Sequence, residues 1–111
     1  MSAAALKQRL RADLKAAMQA RAKDEVRLLR TLIAALDNAE AVAGESKYVP
    51  RAFGDPGAEV PRRELDHGAV ADLLTAEVAS RRTASAEYRQ GGHEAEADGL
   101  LREIEMIDRY L

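Results

Sequence analysis

The sequence predicts an all-α domain of four helices, arranged as two helical hairpins with a long proline- and glycine-rich loop between the second and third helices. Three observations lead to this. Leu and Ala dominate an apolar fraction of 47%, whereas aromatic residues make up only 4%. That composition suits helices better than a sandwich or barrel built from Val, Ile, Tyr and Phe. Apolar residues recur at spacings of three and four in four separate stretches, the period of a helix buried on one side. All three prolines and three of the seven glycines fall within residues 44–63. At 111 residues the chain is expected to form one domain around one core.

The first helix is capped by Ser2 and runs to about Ala20. Leu6, Leu10, Leu14 and Met18 recur every four residues and form a narrow apolar stripe. Lys7, Arg11 and Lys15 repeat beside it and line one edge. After a short polar turn at residues 21–23, Asp24 is the expected N-cap of a second helix reaching about Ala43. This helix has two apolar seams: Val26, Leu29, Ile33 and Leu36, and Leu28, Leu32, Ala35 and Ala39. A helix with two seams sits between neighbours, which places it at the centre. Gly44 is the expected left-handed residue that ends it.

Between residues 44 and 63, Gly44, Pro50, Gly54, Pro56, Gly57 and Pro61 prevent a continuous helix. Within this loop, Tyr48, Val49 and Phe53 either pin it to the helices or serve as an exposed anchor for a partner. Pinning or disorder is the favoured reading. The third helix begins at Asp66, with Leu65 and Val70 spaced as a hydrophobic staple. Its buried side is Val70, Leu74, Val78 and Tyr88, and it runs to about Gln90. Gly91 and Gly92 allow a sharp reversal. The fourth helix then continues to the terminus with the stripe Ala97, Leu100, Ile104, Ile107 and Leu111. Helices three and four therefore pair as an antiparallel hairpin. Gly99 costs the fourth helix about 1 kcal/mol relative to Ala; it either admits a close backbone approach or is simply tolerated.

The formal charge of −2 hides an asymmetry. Residues 1–38 carry eight basic and four acidic side chains, and residues 70–111 carry five basic and nine acidic. A basic helical pair is thus set against an acidic one. Internal complementarity is favoured over a nucleic-acid patch, because specific nucleic-acid binders show a larger basic excess.

Catalysis has little to work with. The chain has no cysteine, which excludes disulfides, thiolate metal sites and a cysteine nucleophile. His67 and His93 lie beside helix starts and glycines. No strand-turn-helix serine motif or glycine-rich phosphate loop is present. Of His93, Glu94, Glu96 and Asp98, only two at a time share a helix face, which is too few for a metal site. We therefore expect no catalytic residues, no metal and no cofactor. No apolar run approaches the roughly 20 residues of a membrane span. Residues 1–10 lack a signal-peptide core, so the cytosol is the expected compartment and no membrane association is expected.

The candidate binding residues are basic: Lys7, Arg11, Arg27, Arg30, Arg81, Arg82 and Arg89. Arg82 and Arg89 are seven apart and share a helix face with Ser85. Arginines on such a face suit a phosphate backbone or a carboxylate-rich partner. The same arginines also suit internal pairing with Glu94, Glu103 and Asp108, and that reading is favoured.

Three segments resemble a known family. Residues 28–40 (LLRTLIAALDNAE) resemble the second helix of YqeY-like proteins of the GatB/YqeY group. Residues 77–92 (EVASRRTASAEYRQGG) are similar to that family's pattern of a glutamate, an apolar residue, paired basic residues, a serine and an aromatic, closed by glycines. Residues 103–111 (EIEMIDRYL) resemble its terminal motif. The likeness spans nearly the whole chain except residues 44–63, which look like an insertion. It implies an all-helical fold related to the tail of the B subunit of glutamine-dependent tRNA amidotransferases, a region that engages tRNA. The carbon–nitrogen ligase label of the family, with glutamine as amido donor, is read as inherited from the larger enzyme. Family members usually continue past the Tyr-Leu pair into a further helical subdomain, so the chain is expected to represent the family without that part. Where they usually carry a basic residue after the glycine pair, this chain has His93.

Two classes of function follow from these readings. The first is a non-catalytic module associated with tRNA or another RNA, or accessory to an amidotransferase subunit. The second is a protein-interaction, adaptor or self-associating helical domain with no nucleic-acid role.

Overall fold

A computed structural model describes residues 1–45 and 64–111. Four helices account for them: α1 (Ala3–Gln19), α2 (Lys23–Glu45), α3 (His67–Gln90) and α4 (Glu94–Asp108), with no strand among the described residues. The expected loop and its anchors Tyr48, Val49 and Phe53 lie outside these residues. Gly44 does not end the second helix, because α2 continues through it to Glu45.

Helix α1 starts where expected, with the Ser2 Oγ accepting from the Ala5 N–H at 3.1 Å. Its buried face, however, is Ala3, Leu6, Leu10 and Ala17, and Met18 is 51% exposed. An α-helix turns about 100° per residue, so an every-fourth pattern drifts by about 40° per step. Twelve residues beyond Leu6 the drift carries Met18 off the core face, and Ala17 occupies that face instead.

Helix α2 begins one residue before the expected cap, with the Ala22 carbonyl accepting from the Val26 N–H at 2.9 Å. Asp24 and Glu25 therefore lie in its first turn, where carboxylates offset the positive end of the helix dipole. Both seams are buried: Leu28, Leu29, Leu32 and Leu36 are almost completely excluded from solvent, with Val26 and Ile33 packed against them.

The two hairpins turn in the same way. After α3, the His93 N–H donates to the Tyr88 carbonyl and the Gly92 N–H to the Arg89 carbonyl, with Gly92 at φ 82°. After α1, the Ala22 N–H donates to the Ala17 carbonyl and the Arg21 N–H to the Met18 carbonyl. Both are Schellman motifs, closed by one residue in the left-handed conformation. In the first hairpin that residue is Arg21, at φ 56°.

Helix α1 packs along α2, α3 packs along α4, and α2 also touches α4. Asp66 caps α3 by accepting from the Ala69 N–H at 2.8 Å, and Leu65 packs on the core near buried Val70, as the staple requires. Tyr88 is not on the buried side. It stands at a cleft between the first turn of α2 and the α3–α4 hairpin and is 44% exposed. Helix α4 stops at Asp108, short of the terminus, so Leu111 is exposed and Tyr110 packs into the core in its place. The Tyr110 hydroxyl donates to Asp13 on α1, and the Arg9 guanidinium lies 4.9 Å from the centroid of the Tyr110 ring.

Two expectations about stability follow. A Cβ added at Gly99 would meet only the end of the Arg102 side chain, at 3.7 Å. Gly99→Ala should therefore raise stability by about 0.5–1 kcal/mol, read as a higher urea midpoint at unchanged slope. Burial, reinforced by Asp13, pushes the Tyr110 phenol above the ordinary tyrosine value near 10. The neutral phenol is thus favoured in the folded state. Its contribution is fully present below pH ~10 and is lost as pH rises through the higher folded value. Tyrosinate absorbance should show a late step that Tyr110→Phe abolishes, and that substitution should cost about 1 kcal/mol below pH ~10.

Candidate nucleic-acid interface

The seven candidate cations divide by what they touch. Lys7, on α1, reaches across to α2, with Nζ 2.5 Å from Glu40 Oε1 and 3.4 Å from Asp37 Oδ1. Glu40 is buried. Lys7 is the charge that faces its carboxylate across the α1–α2 seam. The Glu40 contact holds the Lys7 ammonium above the ordinary lysine value, with Asp37 adding to it and partial burial opposing it.

Arg81 lies between α3 and α4, its side chain only 13% exposed. It bonds Glu77 at 2.6 Å and faces Glu103 at 3.8 Å. Arg89 bridges the second hairpin, donating to Glu94 and, at 2.9 Å, to Asp98. Ser85 does not project beside Arg82 and Arg89 as a free hydroxyl. It is buried and donates to the Ala97 carbonyl at 2.9 Å, tying α3 to α4.

Arg11, Arg30 and Arg82 are exposed and make no ion pair among the described residues. Arg27 is also exposed and has one distant contact, to Asp24 at 4.0 Å. Arg27 and Arg30 come together on the outer face of α2 beside a groove of about 600 Å³ at the α1–α2 turn. Lys23 joins them one turn earlier, Arg21 enters from the turn itself, and Met18, Val26 and Thr31 complete the lining. Arg82 and Arg89 flank a separate shallow groove of about 480 Å³ with Gln90 and Leu101. Lys7 and Arg11 line neither groove.

Reading the sequence for binding residues passes over Arg21, Lys23 and Met18. The spacing of Lys23, Arg27 and Arg30 (i, i+4, i+7) already places those three on one face. Nothing local marks Met18 as exposed or Arg21 as left-handed.

The acidic residues also have an order. Glu94, Asp98, Glu105 and Asp108 follow the same helical spacing, with Leu101 in their row, and all five are exposed along α4. Glu94 and Asp98 are held by Arg89. No group of three His, Asp or Glu side chains among the described residues is placed to hold a metal ion. No described helix is long and apolar enough to cross a membrane. His67 Nδ1 accepts from the Met1 ammonium at 2.8 Å, and His93 meets Tyr88 edge-on.

The family model described as "Yqey-like protein" matches residues 7–111, essentially the whole chain. No curated protein matches it.

Because the Lys7–Glu40 pair is largely shielded from water, removing one partner leaves a charge without compensation. Lys7→Met should lower stability by roughly 2–3 kcal/mol, near the lower edge of what breaking a buried ion pair costs. Adding Glu40→Leu should recover most of that loss. The urea midpoints of the two single variants and the double variant measure the coupling directly.

Proposed function

The chain belongs to the YqeY-like family, and from that premise we propose that it is a non-catalytic helical module that associates with tRNA or another RNA, as an accessory to a glutamine-dependent tRNA amidotransferase. The observation that carries this reading is the group of exposed cations at the α1–α2 turn. Arg21, Lys23, Arg27 and Arg30 surround one groove, and their only ion pair among the described residues is the 4.0 Å contact of Arg27 with Asp24. Cations left without carboxylates are available to phosphates, whereas Lys7, Arg81 and Arg89 already have internal partners. Arg11 on α1 and Arg82 on α3 are also exposed but lie outside this groove. The carbon–nitrogen ligase label then describes the larger enzyme to which the family is related, and a tRNA partner sets the module in the cytoplasm.

A second reading, as a protein-interaction or self-associating domain, is favoured by Leu101. It is 41% exposed in the middle of the acidic stripe of α4, a pattern that suits a basic, apolar partner surface. Sedimentation that stays monomeric at high concentration and low salt would count against self-association.

Titration of labelled tRNA separates these readings. The RNA reading expects binding that weakens steeply as salt rises, with Arg27→Ala and Arg30→Ala each reducing the slope of log K against log salt by about 1. Absence of binding at low salt would overturn it.

A further inference from the structure

The groove at the α1–α2 turn has two features that folding does not require. Met18 belongs to the apolar stripe of α1 yet is 51% exposed on the groove, beside half-buried Val26. Arg21 occupies the left-handed position of the turn, where the other hairpin has Gly92. A non-glycine residue in that conformation costs on the order of 1 kcal/mol. Such strain is retained at sites where a side chain is needed. At this position the side chain is a guanidinium on the groove.

We infer that this groove binds an unpaired nucleotide of single-stranded RNA, with the base against Met18 and Val26 and the flanking phosphates on Arg21, Lys23, Arg27 and Arg30. The inference rests on the RNA reading above and names the form of RNA this surface takes. Its basis is the combination of an apolar floor with a cationic rim. Phosphates alone have no use for Met18 and Val26, and a duplex keeps its base faces stacked inside, out of reach of the floor. An unpaired base presents a flat apolar face that stacks on arginine planes and polarisable side chains. A partner helix fits less well. It would need a row of apolar pockets at i, i+3 or i+4, and i+7, and the groove offers two apolar side chains.

Anisotropy with the full chain tests this, using a labelled oligouridylate, a labelled RNA duplex of the same length, and tRNA. The single strand should bind at least about tenfold more tightly than the duplex, consistent with one stacked base. Its log K should fall with log salt at a slope near −3, as about four phosphate contacts on a single strand require. Met18→Ala should weaken the single strand by about five- to tenfold and leave the duplex unchanged. Arg21→Gly should weaken the single strand while leaving the urea midpoint unchanged or higher, because glycine accepts the left-handed conformation. Equal binding of strand and duplex, insensitive to Met18→Ala, overturns the inference and leaves the RNA reading standing. Failure to bind oligouridylate, duplex and tRNA alike at low salt overturns both. Binding of a helical Glu/Leu-rich peptide, in place of any RNA, assigns the groove to a protein partner and likewise overturns both.

Discussion

Burial of α2 on two sides at once, through Leu28, Leu29, Leu32 and Leu36, is the constraint from which the rest of the arrangement follows. Each of these side chains contributes about 1.5–3 kcal/mol by leaving water, and no single neighbour covers both seams. Helix α1 lies along one side, and the second hairpin approaches through α4. What remains of the surface of α2 is a strip through Lys23, Arg27, Arg30, Ala34 and Asn38, all exposed. The cations of that strip sit at its N-terminal end, beside the turn that brings in Arg21. The basic groove is therefore a consequence of how the core is built.

The charge asymmetry divides along the same lines. Cations near a helix–helix seam meet carboxylates: Lys7 at the α1–α2 seam, and Arg81 and Arg89 at the α3–α4 seam. Each of these pairs joins residues within one hairpin. Among the described residues, the ion pair between the basic and acidic hairpins is the partly exposed Arg109–Glu25 contact at 3.9 Å. On the outer face of α2, the one ion pair among the described residues is the 4.0 Å contact of Arg27 with Asp24.

Much of this was legible in the sequence because it depends on local chemistry. The Ser2 and Asp66 caps, the Leu65–Val70 staple and the glycine reversal at Gly91–Gly92 each rest on residues within one turn of each other, and each appears as read. The structure departs from the sequence pattern where a long periodicity drifts around a helix and at helix ends. A fourfold spacing looks regular over four repeats and places Met18 in the apolar stripe, although the helix rotates away from it. Tyr88 lies in register with Val70, but at the end of α3 it faces an open cleft. Ser85 shares a face with Arg82, yet the approach of α4 turns that position into a buried seam. Neither a single glycine nor a periodic stripe fixes where a helix stops: α2 runs through Gly44, and α4 ends before Leu111.

By itself, then, the sequence determined the helices, their hairpin pairing, most of the core and the family, since these follow from periodicity, capping and motif order along the chain. Only the tertiary structure decided which basic side chains are neutralised and which are left over. That depends on distances between residues such as Lys7 and Glu40, thirty-three positions apart in sequence and 2.5 Å apart in space, and one-dimensional spacing carries no such distances. The groove of Met18, Arg21, Lys23, Arg27 and Arg30 belongs to the same category. It exists because a left-handed arginine turns the chain and two packed helices leave one end of their seam uncovered.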